Sequence, residues 1–182
     1  AEEAVGKFTG DIPGFVYSRY ANPTVSVFEQ RMAAIEGTEA CFGAASGMAA
    51  IFAALAAQVR AGDHIVAGRV LFGSCLQILT EILPRWGVEA TLVDAADNAA
   101  WANAVRPNTK VFFCESPANP TLQLADLAHI GAVSKQAGAC FVMDNIFAAP
   151  FIQRPIDFGA DVIVYSGTKH IDGQGRTMGG AI

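Results

Sequence analysis

The sequence carries little charge. Asp, Glu, Lys and Arg make up 16% of its 182 residues, and the formal net charge is −5. No cluster of Lys and Arg occurs, so no nucleic-acid partner is expected. No apolar run reaches the roughly 20 residues that span a bilayer, so no membrane partner is expected either. The opening Ala1-Glu2-Glu3 lacks the basic and apolar pattern of a secretory signal, and a cytoplasmic location is expected. Cys41, Cys75, Cys114 and Cys140 stand apart with no C-x-x-C, which predicts four free, small core residues. A G-x-G-x-x-G fingerprint is missing where a dinucleotide-binding module needs it: Ala67-Gly68-Arg69-Val70 does not supply it.

What is present is apolar: 52% of the chain, enough for one domain with a substantial core. Residues 1–21 hold Gly10, Pro13 and Gly14 and predict a mostly irregular arm. Asn22 and Pro23 predict a capped helix start; Val25, Phe28, Met32 and Ile35 predict one buried stripe, and Gly37 its end. A second helix is predicted from Ser46-Gly47-Met48 to about Arg60. Beyond it, short apolar runs at 64–67, 88–93, 111–115, 140–144 and 161–165 alternate with helical patterns at 74–86, 98–105 and 126–137. That alternation predicts an α/β fold, a mainly parallel sheet with helices on both faces. Ligands of such sheets sit beyond the carboxyl ends of the strands.

The unusual residues cluster at those ends. One run is followed by Glu115-Ser116-Pro117-Ala118-Asn119-Pro120, the next by Asp144-Asn145, the last by Ser166-Gly167-Thr168-Lys169. Taken singly, each has an ordinary explanation as a cap, a turn or a solvated lysine. Together they match one ligand, pyridoxal 5′-phosphate. Its aldehyde needs a lysine amine, here Lys169, to form a Schiff base. Its ring nitrogen needs a carboxylate, here Asp144, and its ring oxygen a donor, here Asn119. Its phosphate needs N–H groups at a helix start, here Gly47 and Met48, and the hydroxyls of Ser166 and Thr168. The lysine is expected to be buried enough to keep its amine partly neutral.

The segments YSRYANPT (17–24), SGMAAI (46–51), ESPANPTL (115–122), DNIFAAP (144–150) and YSGTKHIDGQGR (165–176) resemble the cystathionine γ-synthase family, the pyridoxal-phosphate enzymes of cysteine and methionine metabolism. The resemblance runs along nearly the whole chain in order. It implies the large cofactor-binding domain of a fold-type I, aspartate aminotransferase-like enzyme over residues 22–182. It also implies an N-terminal arm, residues 1–21, whose Tyr17 and Arg19 reach the cofactor phosphate of a neighbouring subunit, hence a homodimer or homotetramer. Where most members place a ring-stacking tyrosine, this sequence has Phe72, and Ile146 stands in place of a threonine after Asp144-Asn145. The first substitution removes a phenol, the second a hydrogen bond.

GQGR at 173–176, with Phe72, resembles the sulfhydrylase branch of the family. That branch implies γ-replacement in methionine biosynthesis: O-succinylhomoserine and sulfide give homocysteine, with Lys169 moving protons between substrate carbons. The nearest rivals are a cystathionine γ-synthase, with cysteine as nucleophile, and a methionine or cystathionine γ-lyase. A rival of another class is an inactive cofactor-binding fragment. Members of the family are about twice as long and carry a C-terminal domain that binds the substrate carboxylate. Gly179-Gly180-Ala181-Ile182 has the pattern of a strand just beginning, so a piece of a longer protein is expected.

Overall fold

The computed structural model describes residues 2–182. Seven strands form one sheet: β1 (Gly43–Ala44), β2 (His64–Gly68), β3 (Glu89–Val93), β4 (Thr109–Glu115), β5 (Cys140–Asp144), β6 (Val162–Ser166) and β7 (Gly180–Ala181). Their order is β1-β7-β6-β5-β4-β2-β3. The neighbours from β6 through to β3 pair in parallel, and β7 runs antiparallel to both β6 and β1. This is the expected α/β architecture, with the crossovers made by helices.

Pleating divides the strand residues between two cores. On β4, Phe112 and Cys114 join Trp101, Ile130 and Phe141 on one face. Val111 and Phe113 join Ile51, Leu55 and Val142 on the other. The helices covering the faces include α3 (Gly47–Ala56), α5 (Asn98–Asn103) and α6 (Leu127–Ala137). Each starts at a side-chain cap: Ser46 accepts from Ala49 N, Asp97 from Ala99 N, and Asp126 from His129 N. Such caps satisfy donors that the first helical turn leaves free. Among the described residues no helix is long and apolar enough to cross a membrane. The four cysteines are free, two buried and two half-buried.

Several expectations need correction. The arm is not wholly irregular, because Glu2–Thr9 forms a helix, α1. Its Glu3–Lys7 ion pair of 2.7 Å spans one turn, and the acidic residues sit at the positive end of the dipole. The next helix, α2 (Pro23–Glu36), is capped by Asn22 and ended by left-handed Gly37 as expected. Its stripe is narrower, however: Met32 is buried, while Val25 and Ile35 are 43% and 42% exposed. Only one turn of α2 meets the core. Helix α3 stops at Ala56, short of Arg60. The stretch 74–86 is not one α-helix but α4 (Gly73–Gln77), a wide turn at Ile78–Ile82 and a tight turn at Leu83–Trp86. Pro84 lacks the N–H that an α-helix needs there. The short helix α7 (Ala149–Ile152) and strand β1 were not legible.

Candidate cofactor site

The last residues of β4, β5 and β6 are Glu115, Asp144 and Ser166. Each lies two residues beyond an apolar residue of the α3-side core: Phe113, Val142 and Val164 respectively. Period-two alternation therefore turns all three toward α3. Glu115 and Asp144 are register partners across the sheet. Together with the start of α3 they enclose a cavity of about 250 Å³. Its wall holds Gly47, Met48, Phe72, Asn119, Asp144, Ser166, Thr168 and Lys169, eight of the ten residues singled out in the sequence.

Tyr17 and Arg19 are not in this wall. Tyr17 is exposed, and the Arg19 guanidinium lies 5.3 Å from the ring centres of both Tyr17 and Tyr20. That contact keeps the cation at an exposed aromatic cluster.

The α3 end of the cavity suits an anion. Ser46 Oγ accepts from Ala49 N at 3.1 Å, and Ser46 O accepts from Ala50 N at 3.0 Å. The two remaining first-turn N–H groups belong to Gly47 and Met48, which line the cavity beside Ser166 and Thr168. Helix and strand are pressed together here: a Cβ on Gly47 would lie 2.6 Å from the Ser166 Cβ. Gly47→Ala is therefore expected to destabilise the fold by about 1–3 kcal/mol. It should also raise the dissociation constant for an anion at this end. Thermal melting and phosphate titration check this, and an unchanged pair of values would contradict it.

The opposite end is acidic and dry. Asp144 is 2% exposed, and its carboxyl is pushed up to about 8, first by burial and then by the neighbouring Glu115. Ile146 N donates to Asp144 Oδ1 at 3.0 Å, so a backbone bond steadies the carboxyl at the position where isoleucine has no hydroxyl to offer. Glu115 is also raised by burial, against which the N–H groups of Phe72 and Asn119 act. A cation between these carboxyls would offset their desolvation. Cys75 does not compete as a nucleophile: burial, then Asp144 and Glu115, push its thiol up and hold it protonated.

Lys169 stands in the turn Gly167–Ile171, where its φ of −92° and ψ of −118° interrupt the helical path. The turn is tied down by Gly167 N donating to Gly179 O at 2.8 Å and Gly173 N to Lys169 O at 2.8 Å. The next loop folds around Asp172, whose carboxylate accepts from Gln174 N, Arg176 N and the Thr177 hydroxyl. Lys169 itself is exposed, so the burial expected of it is not found in this chain. The strand end delivers it to the mouth of the cavity rather than to its floor.

Sequence reasoning missed Glu115 as a site residue, along with the apolar wall of Ile51, Ile146, Phe147 and Met178. A signal for Glu115 existed: it closes the apolar run Val111–Cys114 on the same face as Phe113.

An anion end, a carboxyl end and a lysine between them fit pyridoxal 5′-phosphate, whose phosphate and ring nitrogen carry opposite charge. Comparison with known proteins bears on the same point. O-Succinylhomoserine sulfhydrylases of Mycobacterium tuberculosis and Pseudomonas aeruginosa are 52% and 45% identical to all 182 residues. An L-methionine gamma-lyase of Treponema denticola is 41% identical. The chain spans about 45% of the length of these curated relatives. A solved Campylobacter jejuni structure that contains N′-pyridoxyl-lysine-5′-monophosphate superposes with a TM-score of 0.92 at 36% identity, over 99% of this chain and 44% of that one. The family profile for Cys/Met metabolism PLP-dependent enzymes matches residues 1–182, and the chain belongs to that family.

Proposed function

We propose that the protein carrying this chain performs γ-replacement, converting O-succinylhomoserine and sulfide to homocysteine and succinate. The observation that carries the reading is the single cavity joining Lys169, Asp144, Asn119 and the α3 N-terminus. The 45–52% identity to O-succinylhomoserine sulfhydrylases supports the substrate. Bound pyridoxal phosphate supplies an electron sink for carbanion chemistry at the substrate carbons.

The chain's residues do the rest. Gly47 and Met48 N–H with Ser166 and Thr168 hydroxyls hold the phosphate. Asp144 holds the ring-nitrogen proton, Asn119 donates to the ring oxygen, and Phe72 covers a ring face. Lys169 Nζ anchors the aldehyde carbon at rest. Released by the substrate amine, it takes the proton from Cα. A second proton leaves Cβ, the Cγ–O bond breaks and succinate departs. The sulfide sulfur then bonds to Cγ, and protons return to Cβ and Cα. Tyr17 and Arg19 serve the phosphate site of a neighbouring copy, which makes residues 1–21 an intersubunit arm and the protein a homodimer or homotetramer in the cytoplasm.

Borohydride reduction followed by peptide mass mapping tests the cofactor assignment. A pyridoxyl adduct on Lys169 is expected, and its absence after cofactor addition would overturn the reading. Product analysis tests the reaction: homocysteine from O-succinylhomoserine and sulfide is expected. A keto acid from methionine would instead favour the γ-lyase reading that the Treponema denticola relative suggests.

A further inference from the structure

Glu115 occupies a place that the proposed chemistry does not use. It is 5% exposed, beside Asp144 in the sheet register, with both carboxylate oxygens engaged. Oε2 accepts from Phe72 N at 2.7 Å, and Oε1 accepts from Asn119 N at 2.9 Å. These donors come from separate loops, one leading into α4 and the other following β4. Neither loop is stiff by its own means. Phe72 precedes a five-residue helix with no side-chain cap, and its side chain is 44% exposed. Asn119 lies between Pro117 and Pro120, neither of which has an N–H to offer.

We infer that Glu115 is a positioning residue for the cofactor ring, clamping the Phe72 and Asn119 loops to the end of β4 so that the phenyl ring and the amide face Asp144. With both oxygens accepting, Glu115 moves no proton itself. It acts through the placement of two groups, and its buried carboxylate adds negative charge to the ring end of the cavity. This inference rests on the proposed cofactor role of the cavity.

Glu115→Gln keeps the side-chain length but sets an NH₂ donor against one of the two N–H groups. Titration of the purified protein with pyridoxal phosphate is expected to show a dissociation constant raised at least tenfold. The melting temperature of the cofactor-free protein should stay within a few degrees of the parent. The pH midpoint of the bound cofactor's visible absorption band should fall, because a negative charge has been lost beside it; a merely structural role would leave that midpoint in place. Glu115→Asp keeps the charge with too short a reach for both bonds. It should weaken binding while leaving the midpoint near the parent value, and it takes over the binding test if Glu115→Gln does not fold. In a Phe72→Ala background, Glu115→Gln should weaken binding by a smaller factor than in the parent, since one of its two dependents is already gone.

A dissociation constant within threefold of the parent, or weakened binding with an unmoved midpoint in Glu115→Gln, would overturn the inference. If the parent takes no pyridoxyl group on Lys169, the proposed function falls and this inference with it. If the parent is labelled and Glu115→Gln matches it throughout, only this inference falls.

Discussion

Replacing Lys169 by alanine is expected to abolish the borohydride-stable adduct and to lower homocysteine formation by about 10⁴-fold, the upper range for a positioned proton-transfer group. The fold should tolerate the change. Lys169 is exposed, and the bonds that hold its turn run through backbone atoms of Gly167, Gly173 and Gly179 and the carbonyl of Lys169 itself. The melting temperature should therefore stay close to that of the parent while the adduct disappears. Mass mapping and steady-state assay read the two effects separately. Turnover within tenfold of the parent would show that another group moves the protons.

The second large effect concerns Asp144 and pH. The carboxyl ionises near 3.8 when unfolded and near 8 in the cofactor-free fold. Between these values the folded chain keeps a proton that the unfolded chain has released. Stability from this group is therefore fully present below pH 4 and is lost as pH rises toward 8. At about 1.4 kcal/mol per pH unit, the loss approaches about 5 kcal/mol across the window. Asp144→Asn imitates the neutral carboxyl and keeps the acceptor for Ile146 N. The cofactor-free variant is expected to be more stable than the parent at pH 8 and to match it near pH 4. The same variant should bind pyridoxal phosphate poorly, because the ring nitrogen loses its carboxylate. Denaturant titrations from pH 4 to 8, with and without cofactor, measure both. A parent curve that rises with pH would contradict the account. The opposition has a physical reason: a buried carboxyl suited to a cationic ring is a burden on the fold when no cation is beside it.

Much of the site was legible because its residues sit where local patterns end. A strand that closes on Asp144, a helix that opens at Ser46-Gly47-Met48 and a glycine-bounded lysine turn are visible in one dimension. So were the five parallel strands, since apolar runs separated by helical spacing leave few other topologies. The narrow stripe of α2 was not legible: periodicity shows which side of a helix is apolar but not how much of it another element will cover. The broken helix over residues 73–86 escaped because a helical spacing can continue while the hydrogen-bond pattern changes around a proline.

The sequence by itself determined the α/β alternation, the helix starts at Asn22 and Ser46, and the residue types able to meet pyridoxal phosphate. Those follow from short-range physics, in which caps, turns and the period of the apolar pattern act over a few residues. Tertiary structure alone decided that Glu115 reaches back 43 residues to the Phe72 N–H. It also decided that Glu115 stands in register with Asp144 and that Lys169 rests at an open mouth. Register, burial and the local dielectric come from strands brought together across long stretches of chain, and they have no counterpart in the order of neighbouring residues.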